Sequence, residues 1–225
     1  MAKAKTTING KALSVYGAKL VDYKVNACSY KNSYMLPPKS IVPIKLNGNV
    51  GLRKVDITLD VFGKSEGEIA LAISQLTAEL MNEANLVLPD GYHYYCVYSG
   101  ASAPEEMAPW IWRVKFEFYG FRHGALESME ITHGMKVDIK GNFEAPVKYT
   151  IYPFGDTTIK VNGITVWNAT SSVVIDGMKA KVTMGEINKF GDTDIIEFPK
   201  MKAGLNTMEV VGDATVEMEY YPIYL

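Results

Sequence analysis

Any catalysis by this chain has to begin from three histidines, His93, His123 and His133, and from scattered carboxylates. Nucleophilic chemistry needs a nucleophile, a base and an orienting group within hydrogen-bond reach. His93 lies in the aromatic run 92–98, and His123 and His133 bracket a glycine-punctuated stretch near mid-chain. No G-x-S-x-G, H-E-x-x-H or Walker-type loop stands beside any of them, so no catalytic histidine is expected. A metal would want clustered ligands. Asp192-x-Asp194 comes nearest but lacks the further ligands of a calcium loop, and it reads as a pair of turn-stabilising carboxylates. Glu105-Glu106 and Glu217/Glu219 could in principle serve glycoside hydrolysis. Glu217 and Glu219 share one strand face, and charges on the wet side of a strand account for them. Cys28 and Cys96 are too few for a disulfide framework and have no C-x-x-C spacing, so they read as buried free thiols. The chain is expected to be no enzyme, with no catalytic residue, no cofactor and no metal. The remaining chemistry is stacking on a sugar, for which Tyr149, Tyr152, Trp167 and Tyr220 are available. Trp167, ending a hairpin strand, is the candidate carbohydrate contact.

Strands must carry most of these residues, because period-2 alternation dominates the chain. In Arg53–Phe62, Val55, Ile57, Leu59 and Val61 point one way, and Lys54, Asp56, Thr58 and Asp60 point the other. Such a strand buries one face and wets the other. In residues 110–119, Trp110, Trp112, Val114, Phe116 and Phe118 are expected on one face, opposite Arg113, Lys115 and Glu117. Residues 92–98 are aromatic on both faces, which suits a strand covered on both sides or exposed at an interface.

One segment has helical spacing: Ile69, Ile73, Leu76, Leu80 and Ala84, preceded by the S-x-x-E capping box of Ser65 and Glu68. The helix is expected over about 66–84, roughly 28 Å long. Its only charged groups are glutamates. Glu66 and Glu68 favour the N-terminal end of the dipole, whereas Glu79 and Glu83 repel each other at i,i+4. That flank reads as a solvated face, or as an acidic surface toward a partner or a channel. Residues 119–135 look like a junction dividing residues 1–130 from 131–225. Beyond it, Asn162-Gly163 is the strongest hairpin signal, between strands at 158–161 and 164–167. Asp176-Gly177 reads as a similar turn between 172–175 and 178–183, and Gly212-Asp213 separates 208–211 from Ala214–Tyr220. Short, evenly spaced strands with no second helix predict a β-sandwich.

The 225 residues are 48% apolar and 21% charged, an ordinary globular balance. Residues 1–130 carry 14 Lys and Arg against 13 Asp and Glu, and residues 131–225 carry 9 against 12. With a formal net charge of −2, the basic excess that gripping phosphates requires is missing, so specific nucleic-acid binding is not expected. The opening MAKAKTTINGKAL has no apolar signal-peptide core, and no run approaches the roughly 18 apolar residues that span a bilayer. The sequence predicts a soluble chain made in the cytoplasm of its producer, with no membrane partner.

Two segments carry a family resemblance: GNFEAPVKYTIYP (141–153) and EFPKMKAGLNTMEV (197–210). In the second, Pro199 is expected to end a strand, Gly204 to permit a positive φ, and Asn206 to bond its own backbone in the turn. With the segment 40–65, the helix, and the strands YHYYCVYSG and WRVKFEFYGFRHG in that order, the chain resembles the distal tail (Dit) proteins of phages with long non-contractile tails. The resemblance implies a mainly β fold: an α+β N-terminal domain (1–130) with a β-barrel-like sheet and one long helix, then a galectin-like β-sandwich (131–225). Pro199, Gly204 and Asn206 would be a fold signature rather than a catalytic set. The implied role is structural, in the virion at the tail tip or baseplate. A homohexameric ring would join the tail tube protein to the tail-associated hub or lysin protein and leave a channel for DNA, with receptor-binding or tape-measure proteins as further partners. The alternative is a carbohydrate-binding β-sandwich module for host-surface adsorption. A related structural role in a contractile tail or secretion apparatus is a third reading.

Overall fold

The computed structural model describes residues 5–35, 37–38, 41–42, 44–81, 83–155 and 157–225, with backbone alone at 32 and 45–47. Ser40 and Pro43 of the 40–65 segment, Asn82 of the expected helix and residues 1–4 lie outside the described residues. The fold is mainly β, with a sheet that curls into a half-barrel. Two compact units divide the chain: residues up to Arg122 together with Leu225, and His123–Tyr224.

In the first unit the order is β1 (Thr7–Ile8), β2 (Lys11–Ala12), β3 (Ala18–Val25), β4 (Tyr30–Met35), β5 (Ile44–Val50), β6 (Arg53–Phe62), α1 (Glu66–Leu80), β7 (Glu83–Val87), β8 (His93–Ala101), β9 (Glu105–Ala108) and β10 (Ile111–His123). The main sheet runs β2-β1-β7-β8-β10-β6-β3, with β9 also on β10. Val55, Ile57, Leu59 and Val61 of β6 are buried, and they stand opposite Phe118, Phe116, Val114 and Trp112 of β10. Each fully buried side chain of this size stabilises by about 1.5–3 kcal/mol, so the inner face fixes the register. A one-residue slip would put every one of these residues in water. Trp110 does not join that face. It sits in the turn before β10 with φ +71, and its side chain is exposed.

The helix α1 lays Ile69, Leu76 and Leu80 on the same core, with Ile73 packed against it. Ser65 caps it by accepting from the Glu68 backbone N–H at 3.2 Å, and Glu68 Oε2 accepts from the Lys64 N–H at 2.7 Å. Such a cap contributes about 1 kcal/mol. The helix is shorter than the expected 66–84, ending at Leu80 with Met81 as its C-cap. Ala84 is buried, but as part of β7, where Glu83, Ala84 and Asn85 pair with Val97, Cys96 and Tyr95. Ala84 fits both patterns, four residues after Leu80 on a helix and two before Leu86 on a strand. The second pattern wins because it completes a ladder. Glu79 and Glu83 therefore do not repel along a helix, and Glu79 instead bonds Lys11 Nζ at 2.8 Å and Asn9 Nδ2 at 3.3 Å.

The second unit contains β11 (Glu127–Ile131), β12 (Lys136–Ile139), β13 (Ala145–Pro153), β14 (Ile159–Val161), β15 (Ile164–Val166), β16 (Val173–Asp176), β17 (Lys181–Met184), β18 (Ile187–Asn188), β19 (Lys200–Met201), β20 (Gly204–Thr207), β21 (Val210–Val211), β22 (Ala214–Tyr220) and β23 (Ile223–Tyr224). The units divide after Arg122, earlier than a boundary at 130, because β11 pairs along its whole length with β22. One sheet runs β11-β22-β13-β16-β17-β18 and a smaller one β15-β14-β21, with β12 and β20 paired separately. Val147, Tyr149 and Ile151 of β13 and Ile159, Val161 and Val166 of the smaller sheet are all buried. Tyr149 carries the layer-to-layer link: its hydroxyl accepts from Asn162 Nδ2 at 2.7 Å.

Asn162 and Gly163 make the turn of the β14–β15 hairpin, with φ of +46 and +83, the pattern of a two-residue turn with both φ positive. Asp176-Gly177 is not such a turn. The link between β16 and β17 is longer, with Ala180 at φ +50, and Asp176 Oδ1 accepts from the Met178 and Lys179 N–H groups at 2.9 Å each. Gly177 is there for space. A Cβ would collide with the Pro199 carbonyl oxygen and stand 2.6 Å from that of Val147. Gly177→Ala should therefore lower the chemical-unfolding midpoint, at a cost of about 1–3 kcal/mol. Gly191→Ala, whose Cβ would meet nothing within 4 Å, should leave the midpoint unchanged.

Candidate functional site

The three histidines stand on separate elements. His93 pairs with Val87 in the β7–β8 ladder. His123 is buried, its Nδ1 2.8 Å from the Gly124 carbonyl oxygen and its ring edge-on to Tyr221 at 4.8 Å. His133 lies exposed in a turn. Cys96 is buried, and burial pushes its thiol up to about 12. Cys28 is half-exposed rather than buried, with the Arg53 guanidinium 3.3 Å from its sulfur. Among the described residues no group of three or more His, Cys, Asp or Glu is placed to hold a metal.

The carboxylates that the spacing singled out are built into turns and ladders. Asp192 accepts from Lys189 Nζ at 2.7 Å and Asn168 Nδ2 at 3.2 Å, and its carbonyl accepts the Trp167 N–H at 2.9 Å. Asp194 Oδ1 accepts the Thr165 N–H at 2.6 Å. The 192–194 loop thereby lies along β15, where Thr193 bridges Val166. Glu219 pairs with Lys148 at 2.6 Å, and Glu217 accepts from the Tyr152 hydroxyl at 3.4 Å. Glu105 and Glu106 lie exposed on β9, opposite Arg113 and Trp112. On the outer face of the first sheet, Lys54 reaches Glu117 at 2.7 Å, Lys115 reaches Asp56 at 3.1 Å, and Arg113 grips Asp60 through two nitrogens at 2.8 and 3.1 Å. Asp56 and Glu117 face each other across the strands, so the two lysines offset a like-charge pair.

The aromatics divide differently from the expected set. Tyr149 and Tyr220 are core residues, their hydroxyls bonded to Asn162 and to the Lys140 N–H. They present no face to a sugar, because their inward strand positions bury them. Tyr152 is partly exposed on the β13 sheet, and Trp167, 41% exposed, follows β15. In the late turn, Pro199 precedes the short strand β19 rather than ending one, since its carbonyl accepts the Val147 N–H at 3.1 Å and so aligns the chain along β13. Gly204 has φ +96, and Asn206 Nδ2 donates to the carbonyls of Lys202 at 2.8 Å and Gly204 at 2.7 Å.

What the spacing did not reveal is apolar surface on the first unit. Phe62, Met107 and Trp110 are exposed around the β9–β10 turn, and Gly63 N–H binds the Trp110 carbonyl at 3.2 Å. Tyr30, Tyr34, Met35 and Ile44 are exposed on β4 and β5, which among the described strands pair only with each other.

No protein-family model matches the chain, and no curated protein does. Solved structures do. The Dit protein of phage SPP1, described as a paradigm of the hub adsorption apparatus in phages infecting Gram-positive bacteria, superposes with a TM-score of 0.72 at 12% identity, over 98% of this chain and 99% of that one. A chain of the phage P2 baseplate in its activated conformation with calcium gives 0.63 at 11%, over 94% and 92%. Its strontium counterpart gives 0.62 at 11%, over 93% and 92%. The chain has the fold of a phage Dit protein from end to end.

The bonded carboxylates make stability depend on acid. Bonds from Lys189 and Asn168 lower the Asp192 carboxyl, and the Thr165 N–H lowers that of Asp194. A depressed carboxyl contributes stability above its unfolded value, and that contribution is lost as pH falls through the folded one. The unfolding midpoint should therefore drop as pH is taken from about 5 to about 3. In Asp194→Asn that drop should be shallower, as read by circular dichroism.

Proposed function

We propose that this protein is a non-enzymatic structural component of a phage tail tip, a distal-tail hub protein of the virion. The observation that carries the reading is the likeness to SPP1 Dit over 98% of this chain and 99% of that one, which spans both units and leaves no large insertion to supply a separate activity. In this reading the N-terminal domain (1–130) closes into a homohexameric ring. The ring joins the tail tube protein on one side to the tail-associated hub protein on the other, with receptor-binding or tape-measure proteins as neighbours and a channel for DNA. The C-terminal domain (131–225) is a galectin-like sandwich. Three physical features support it. The carboxylates of Asp192, Asp194, Glu217 and Glu219 are bonded within turns and ladders. The formal charge of −2 suits a passage that lets DNA through without holding it. Closed symmetry answers the edges of β2 and β3, which end the main sheet.

Light scattering or native mass spectrometry should find six chains of 24.9 kDa each, about 150 kDa in total. A chain that stays monomeric at high concentration, and when tube and hub partners are added, would contradict the assignment. A second reading, carbohydrate binding in host adsorption, is favoured by the half-open indole of Trp167. It predicts glycan-array signal that Trp167→Ala abolishes, and a blank array for the wild-type chain would remove it.

A further inference from the structure

Trp167 does not stand alone on the second unit. The bridge between Val166 and Thr193 sets Trp167 opposite Asp192, and the Trp167 N–H donates to the Asp192 carbonyl at 2.9 Å. Val166 is fully buried, so strand alternation turns the next residue outward, and the indole is 41% exposed. The Asp192 carboxylate opposite it is held from two directions. Asn168, the residue after Trp167, donates from Nδ2 to Oδ1 at 3.2 Å, and Lys189 donates from Nζ to Oδ2 at 2.7 Å. An aromatic ring and a Lys–Asp–Asn polar edge thus come together at one corner of the second unit.

The corner is fixed in place, and its polar groups keep bonding capacity. Phe190–Asp192 form a short 3-10 helix, the Thr193 hydroxyl donates to the Phe190 carbonyl at 2.8 Å, and the Asn188 side chain accepts the Phe190 N–H at 2.9 Å. Asn168 stands at φ +55, a left-handed conformation that asparagine adopts more readily than most residues. A carboxylate has about four acceptor positions and an ammonium has several donors. Among the described residues the Asp192 carboxylate takes two bonds and the Lys189 ammonium gives one. Those bonds hold the Asp192 carboxyl below its usual range, so at neutral pH it only accepts. An exposed ion pair adds little to folding. Ordered in advance, it spares a ligand the cost of ordering it.

We infer that this corner binds an uncharged hexopyranose, with the apolar C–H face of the sugar on Trp167 and a vicinal pair of hydroxyls bridging Asp192 and Lys189. Asn168 is a positioning residue that holds the carboxylate. The inference rests on the carbohydrate reading given above and deepens it, naming the polar groups and the class of sugar. Charge decides the class. Lys189 and Asp192 cancel, so the corner offers no net attraction to a sialic or uronic acid. A diol is donor and acceptor at once, and it satisfies a carboxylate and an ammonium together. The indole adds apolar area and an electron-rich face for the C–H groups.

The test applies the full chain to a glycan array that carries neutral hexose termini beside sialylated and uronic ones. The methyl glycoside of the strongest neutral terminus is then titrated into wild type and variants, each shown to be folded by circular dichroism. Wild type should bind neutral termini only, and Trp167→Ala should abolish the signal. Asp192→Asn and Lys189→Met should each weaken binding by about tenfold or more. Tyr152→Ala, which removes the part-exposed ring on β13, should bind as wild type does. Wild-type affinity in either Asp192→Asn or Lys189→Met would overturn the inference while leaving the carbohydrate reading standing. A preference for charged termini, or loss of binding in Tyr152→Ala, would do the same. A blank array for the wild-type chain would bring down the reading and the inference together.

Discussion

Strand β6 is hydrogen-bonded on both sides, to β3 and to β10, and its strict alternation forces one face into the core and the other toward solvent. Everything in the first unit is arranged around that constraint. The inner row of Val55, Ile57, Leu59 and Val61 sets which residues of β10 face inward and gives α1 the surface it covers. The outer row then places Asp56 against Glu117, and Lys54 and Lys115 have to sit on the diagonals to offset it. In the second unit β13 has the same role between β22 and β16. Its inward Tyr149 spans the layers to Asn162, whose own Oδ1 accepts the Glu209 N–H at 2.8 Å. Burial pushes the Tyr149 hydroxyl up to about 12, so it stays a neutral tie at any ordinary pH.

Alternation and turn chemistry made much of this fold readable. The β6 and β10 faces, the Ser65 cap and the Asn162-Gly163 hairpin follow from local rules that tertiary packing reinforces. The departures lie where two local rules compete. Ala84 satisfies a helical and a strand period, and the ladder to Cys96 decides. Trp110 continues the apolar period of β10 backwards, but Pro109 bends the chain before it. Asp176-Gly177 has hairpin composition, yet its glycine answers a collision with Pro199 that no local pattern contains. Asn9-Gly10, with φ of +50 and +77, makes a hairpin between β1 and β2. Its Asn-Gly signal was present, but strands of two residues carry too little alternation to reveal it.

The candidate surfaces were harder to read than the fold, and for a physical reason. A catalytic site declares itself by residue type, whereas a docking surface is made of residues that elsewhere form cores. Tyr149, Tyr220 and Trp167 look alike in sequence, and only burial separates two core side chains from one half-open ring. Trp110 is the residue before a buried strand, so the alternation that places its neighbours inward places it wrongly, whereas Phe62 ends β6 on the outward parity as an apolar residue where a polar one is expected. The carboxylates show the converse. Asp192, Asp194 and Glu219 resemble candidate ligands until the turn amides and lysines beside them are seen.

The fold shared along its whole length with SPP1 Dit is what the proposed assembly rests on, and that assembly requires the chain to fit to copies of itself. Electron cryomicroscopy of the purified chain at high concentration tests that claim most directly. Class averages should show closed rings of six copies around an open centre. Fields of isolated monomers, or open filaments without closure, would contradict it.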